Sequence, residues 1–319
     1  MFPNKVLVCI DDVEDFHKFK HELGWIARHL KVGLVLFHSS PLRWSAQPRV
    51  EGLPSDDEKR LLDLVDDEAL VNVEVEVYAK ETSSPLIDAI FEAATEKGCD
   101  LLLVPTHARR GLEWLLYGSV ADAILRSCRI PLLSVDLERV PKEPGATAFD
   151  RIVVPMDFSR LSEQAYRFAL SLLDRIPAPI TLFHVIDDFY TTSYPLGGLP
   201  SLDSYVPALI DRVEHELREV ADRWKPSLKT EVDTAVRVGR LTDELAHLVG
   251  EYENPLVVLS TAGRDSLGDF FLGSRAERIV RTARCSVLSL PQLWLKSGSA
   301  PAAERAPEGG EGLVGLDPA

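Results

Sequence analysis

Three motifs occur twice in this chain, in the same order, and that repetition constrains its fold more than any single residue does. Lys5-Val-Leu-Val-Cys-Ile-Asp11 returns as Arg151-Ile-Val-Val-Pro-Met-Asp157, and Leu36-Phe37-His38 returns as Leu182-Phe183-His184 at the same offset. Leu116-Tyr117-Gly118-Ser119 returns as Phe271-Leu272-Gly273-Ser274 at a slightly longer one. Ordered landmarks with a small drift in length describe a duplicated domain. A chain of 319 residues has room for about two domains of roughly 150 residues each, so each copy can bury a core of its own.

Within the first copy, apolar runs of strand length recur at Val6–Ile10, Val32–Phe37, Val71–Val77, Leu101–Val104 and Leu132–Val135. The second copy repeats them at Ile152–Val154, Ile180–Phe183, Val232–Val236, Leu256–Leu259 and Val287–Leu290. Between the runs lie segments with helical spacing, such as Phe16 through Leu30 and Leu86 through Ala94. Continuous apolar strands alternating with helices predict parallel sheets covered on both faces. The expected fold class is α/β: two tandem doubly wound domains, each with a five-stranded parallel sheet. The domains are expected at residues 1–137 and 150–292, joined by a Pro- and Gly-containing linker at 138–149. Residues 293–319 lose periodicity and read as a disordered tail. Ser39–Pro54 and Asp188–Pro200 follow the second strand of each copy and read as surface loops or lids.

A net charge of −15 argues against a nucleic-acid-binding surface. Four cysteines without a CxxC pair, the lack of an N-terminal signal peptide and no run of about 20 apolar residues point to a reducing cytoplasm without membrane contact. No P-loop, GxGxxG, GxSxG or HExxH pattern is present, so no catalytic apparatus is expected. His17 and His21 stand one helical turn apart but lack a third ligand, and read as a solvated helix face.

In a doubly wound sheet, ligands bind outside the carboxyl ends of the strands, where the strand order reverses. Asp157 closes the first strand of the second copy, and Ser260-Thr-Ala-Gly263 closes its fourth. Gly273-Ser274 then opens a helical segment. Glycine lets backbone approach a phosphate, and a helix N-terminus offers unpaired N–H groups. Gly-Ser before a helix also serves as a plain cap. His38 and His184 recur at matching strand ends, which points to a shared structural role or to a place beside the cleft. Asp187-Asp188 reads as a turn, with Mg²⁺ as the alternative.

The segment Val257-Val-Leu-Ser-Thr-Ala-Gly-Arg-Asp-Ser-Leu-Gly-Asp-Phe-Phe-Leu-Gly-Ser274 resembles the signature of the universal stress protein family: Gly, two residues, Gly, nine residues, Gly, then Ser or Thr. Val154-Pro-Met-Asp-Phe-Ser159 resembles that family's opening strand, which ends in Pro-x-Asp-Gly-Ser. The likeness extends over residues 4–137 and 150–291. It implies a Rossmann-like sheet of the adenine nucleotide alpha hydrolase-like kind, with ATP, with or without Mg²⁺, between the first and fourth strands. Carried over, Asp157 would sit by the adenosine, Val185 would meet the adenine through its backbone, and Gly263, Gly273 and Ser274 would hold ribose and phosphates. Arg264, next to Gly263, would face the phosphates or stand exposed to solvent. Ser260 stands at the first signature glycine, and Phe158 where the family often has Gly.

The first copy departs further. Pro105 and Ala108 occupy its two earlier glycine positions, and a proline has no N–H to give a phosphate. Ser39 stands in place of Val185. Asp11, Arg109, Gly118 and Ser119 are kept as a possible degenerate site, with His107 and Arg110 nearby. The resemblance also implies that the fifth strands, Pro131–Val135 and Ser286–Leu290, pair within the chain, leaving a homodimer open. The reading is a stress-response regulator that binds an adenine nucleotide in its second domain and is not an enzyme, with slow ATP hydrolysis left open. The alternative is a nucleotide-free interaction or scaffold protein with both sites decayed.

Overall fold

The computed structural model describes residues 3–10, 16, 19–41, 56–65, 68–106, 124, 127–136, 138–140, 148–187, 202–224, 230–261 and 274–296. The apolar runs are buried on both sides, as a strand covered on two faces requires: Val6, Leu7 and Val8 have no exposure, and neither do Ile152, Val153 and Val154. The first half holds β1 (Lys5–Ile10), β2 (Gly33–Pro41), β3 (Val75–Thr82), β4 (Leu101–Thr106) and β5 (Leu132–Asp136). Its helices are α1 (Lys20–Leu30), α2 (Asp56–Val65) and α3 (Leu86–Glu96), with a 3₁₀ turn at Glu68–Leu70.

The second half holds β6 (Arg151–Pro155), β7 (Ile180–Asp187), β8 (Val232–Gly239), β9 (Pro255–Ser260) and β10 (Ser286–Leu290). Its helices are α4 (Arg160–Leu172), α5 (Leu202–Arg223), α6 (Leu241–Val249), α7 (Ser274–Thr282) and α8 (Gln292–Lys296).

All ten strands join one sheet in the order β3-β2-β1-β4-β5-β10-β9-β6-β7-β8. Pairing inside each half is parallel, and each half repeats the order third, second, first, fourth, fifth. The order reverses between β1 and β4, and again between β6 and β9. β5 and β10 meet antiparallel, with Leu288 opposite Leu133 and Ser289 opposite Leu132, so the two fifth strands do pair within the chain.

Each face of this sheet carries one apolar layer that runs through both halves. One layer gathers Leu23, Ile26 and Leu30 of α1 with Phe168, Ala169 and Leu172 of α4 over Leu34, Leu101, Leu133, Leu288 and Val154. The other gathers Ala89, Ile90 and Ala93 of α3 with Leu245 and Leu248 of α6 and Ile279 of α7 over Leu7, Leu102, Val257 and Val287. Helices on both faces therefore complete the expected α/β class.

Polar contacts also cross the boundary. Arg175 donates to the carbonyl oxygens of Leu30 (2.6 Å), Pro3 (3.1 Å) and Lys31 (3.3 Å), at the end of α1 and the approach to β1. In the other direction Arg139 donates to Tyr252 (3.2 Å), Glu253 (3.4 Å) and Val249 (3.5 Å), just past α6. At the joint itself, the Asp136 N–H donates to Ser286 Oγ at 3.1 Å.

Two expectations change, and a third gains detail. The third strand begins at Val75 rather than Val71, because the 3₁₀ turn is followed by Asn72 at φ 63° and by hydrogen bonds from Val71 to Glu68 and from Val73 to Leu70. The expected linker is packed at its described ends, where Val140, Ala148 and Phe149 are buried in the first apolar layer; residues 141–147 lie outside the described residues. The tail does not begin at residue 293: α8 continues to Lys296, burying Leu295 and setting Trp294 edge-on to Phe168 at 5.4 Å. Residues 297–319 lie outside the described residues.

Candidate functional site

The crevice of the second half forms where β6 and β9 end side by side. β6 runs Ile152, Val153 and Val154 into the core and stops at Pro155, which has no N–H to extend the ladder. Met156 makes one more bond, its N–H donating to Phe183 O at 2.7 Å. Asp157 follows, half-buried, and its Oδ1 accepts from the Ser159 N–H at 3.0 Å, a local turn of the kind Asp favours. Between them Phe158 adopts φ 60°. That left-handed backbone is the physical reason for a glycine at this position in the motif, and a Phe here carries strain.

Ser159 then caps α4: its Oγ accepts from the Ser162 N–H at 3.2 Å, and Ser162 Oγ donates back to Ser159 O at 2.9 Å. Sequence reasoning passed over this pair, although a Ser directly before a helical run is an ordinary start signal. Across the crevice, β9 ends at Ser260, and the buried Thr261 donates its N–H to Leu290 O at 2.9 Å, which extends the pairing with β10 by one residue.

Strand alternation sorts these residues between the two faces. Val154 and Met156 belong to the layer under α4, and Phe158 packs against the same layer. Val153 and Val185 belong with the opposite layer, the one that contains α7. The departure from glycine at Phe158 therefore sends its ring to the face away from α7. There it stacks on His184, with centroids 5.0 Å apart at 43°. Leu259 packs with the α7 layer, so the Ser260 side chain alternates to the other face as well.

The recurring histidines prove to be structural equivalents. His184 Nδ1 lies 2.7 Å from Met156 O, and His38 Nδ1 lies 3.0 Å from Ile10 O. Each joins the end of the second strand of its half to the end of the first. A second pair also survives duplication: Lys5 reaches Glu76 at 2.8 Å, and Arg151 reaches Asp233 at 2.7 Å, each spanning from the first to the third strand of its half. Lys5 and Lys97 together hold the Glu76 carboxyl below the usual range.

Of the residues assigned to the nucleotide, Asp157, Val185 and Ser260 are brought to the same end of the sheet. Ser274 is the first residue of α7. Gly263, Arg264 and Gly273 lie outside the described residues, as do Asp11, His107, Ala108, Arg109, Arg110, Gly118 and Ser119 in the first half. There Pro105 falls in β4 and Ser39 in β2. His21 is in α1, while His17 and Asp188 lie outside the described residues. No cluster of three His, Cys, Asp or Glu gathers for a metal ion among the described residues, and no helix there is long and apolar enough to cross a membrane.

Comparison with known proteins agrees on the family. A universal stress protein from Methanocaldococcus jannaschii is 27% identical over 150 residues, covering 45% of this chain and 83% of that protein. Universal stress protein E of Escherichia coli is 25% identical over 203 residues, which span 63% of each chain. Among solved structures, a universal stress protein from Archaeoglobus fulgidus superposes with a TM-score of 0.60 at 16% identity, covering 91% of this chain and 98% of its own, a likeness of fold. The model of the universal stress protein family matches residues 3–136 and again 148–291, so this chain belongs to that family as a tandem member.

Proposed function

We propose that the chain binds ATP or another adenine nucleotide in the crevice of its second half and acts by binding rather than by catalysis. The observation that carries this reading is the convergence of Asp157, the Val185 main chain and the end of β9 at the strand-order reversal between β6 and β9. This is where an open α/β sheet receives its ligand. The departures that argued against a nucleotide lose weight on the same geometry, since the Phe158 ring stacks on His184, away from the α7 face. α7 starts at Ser274, so main-chain N–H groups and the positive end of the helix dipole are available for phosphates, with or without Mg²⁺.

The reading takes the chain for a regulator rather than an enzyme, in keeping with a sequence that carries no P-loop, GxSxG or HExxH pattern. In this reading occupancy biases contacts with partner proteins in the cytoplasm, and Pro105 in β4 takes one main-chain donor from the equivalent place in the first half. Native mass spectrometry of freshly purified protein tests the reading. A co-purified mass of one adenine nucleotide per chain is expected. A nucleotide-free chain that also fails to take up added ATP would favour the scaffold reading, with both crevices decayed.

A further inference from the structure

Among the described residues, three other than glycine have a left-handed backbone: Lys31, Asn72 and Phe158. Lys31 closes α1, where a left-handed residue is the ordinary helix ending, and Asn72 follows the 3₁₀ turn. Phe158 does neither. It stands at φ 60° between Asp157, at the mouth of the second crevice, and Ser159, the cap of α4. A Cβ in this region crowds the residue's own carbonyl oxygen, and a bulky side chain rarely goes there. Such strain persists only where the surroundings over-determine it.

The surroundings do so from two sides. The Phe158 ring packs on the apolar layer under α4 and stacks on His184, with centroids 5.0 Å apart. His184 is itself tied to the end of β6, its Nδ1 lying 2.7 Å from Met156 O. Met156, His184 and Phe158 thus clip the end of β6 to β7. On the backbone side, the Ser159 N–H donates to Asp157 Oδ1 at 3.0 Å, a bond that closes over Phe158. Ser159 Oγ then caps α4 through the Ser162 N–H. The dihedral of the residue in between therefore sets where the Asp157 carboxylate points.

We infer that Phe158 is a positioning residue, whose anchored ring holds the left-handed turn that aims Asp157 at the ligand of the second crevice. The inference rests on the nucleotide reading above, but its structural half can be tested without a ligand. Phe158→Ala keeps a Cβ and loses the anchor, so the turn relaxes. Titration of the full chain with adenosine should then show about tenfold weaker binding, the size of the left-handed cost for a residue with a Cβ. Phe158→Gly also loses the ring but enters the same region freely, and should bind within about threefold of the wild type. Backbone amide exchange by NMR should follow the same order. The Ser159 amide should exchange about tenfold faster in Phe158→Ala and stay protected in Phe158→Gly. Both variants lose the same ring, so a role in packing alone would move them together.

Adenosine affinity that Phe158→Ala leaves intact would overturn the inference. So would a Phe158→Gly chain that falls as far as Phe158→Ala, or a Ser159 amide that neither substitution distinguishes. If the wild type binds no adenosine while Ser159 exchange follows the order above, the nucleotide reading fails and the turn-holding role of Phe158 stands.

Discussion

Arg175 donates to the carbonyl oxygen of Leu30 at 2.6 Å, from the far end of α4 to the last residue of α1 in the other half. Two more carbonyls, of Pro3 and Lys31, accept from the same nitrogen. Carbonyls at a helix C-terminus lack partners within the helix, and a guanidinium satisfies several at once. Arg139 does the reciprocal service beyond α6. With β5 paired to β10 and both apolar layers shared, the halves are joined by sheet, core and charge together.

Arg175→Met keeps the aliphatic stem and removes the donors. It should lower the stability of the whole chain by about 1–2 kcal/mol, read as a shift in the urea midpoint. Fluorescence and far-UV circular dichroism should report one coincident transition in the wild type. Two separated transitions in the wild type would contradict a joint of this kind.

Gly24 tests the packing of the first half. Glycine inside a helix normally costs about 1 kcal/mol relative to alanine, so Gly→Ala is usually a gain. Here a Cβ at position 24 would stand 2.0 Å from the main-chain oxygen of Ala69, which also accepts from Arg28 Nη1 at 2.8 Å. Gly24→Ala should therefore destabilise by about 1–3 kcal/mol, as overpacking does, with a lowered thermal midpoint as the readout.

The four cysteines are free thiols, and burial raises all of them: Cys9, Cys128 and Cys285 to about 12 and Cys99 to about 11. Their folded values lie above the unfolded 9.0, so the stability they contribute is whole below that pH and is lost as pH rises from about 9 to about 12. Native protein at pH 8 should resist alkylation by iodoacetamide at the buried Cys99 and Cys285, and labelling there should need denaturant. Rapid labelling of Cys285 in the folded chain would contradict its burial. Glu76 has the opposite sign, because its lowered carboxyl pKa favours the fold above the unfolded carboxylate range and that contribution fades as acid protonates it.

Much of this architecture is legible in the residues alone, because duplication shows each strand twice and continuous apolar runs such as Val6–Ile10 and Leu256–Leu259 have few other uses. The pairing of β5 with β10 was anticipated by family resemblance rather than by pattern, since neither strand carries a mark of its partner. Val71 to Val73 looked like strand because apolar content is blind to the left-handed turn at Asn72. α8 was missed because five residues are too few to show a helical period, although Trp294 packs on Phe168. In the crevice, the types of Asp157 and Ser260 were readable. The conformation of Phe158 and the capture of Met156 O by His184 were not, for both depend on where β6 stops against β7.

The central claim is a nucleotide in the second half, and isothermal titration with ATP and Mg²⁺ tests it most directly. Binding at one site per chain is predicted, abolished by Gly263→Val combined with Gly273→Val and kept when Gly118→Val is made in the first half. No heat from the intact protein, or equal binding after the double substitution, would contradict it.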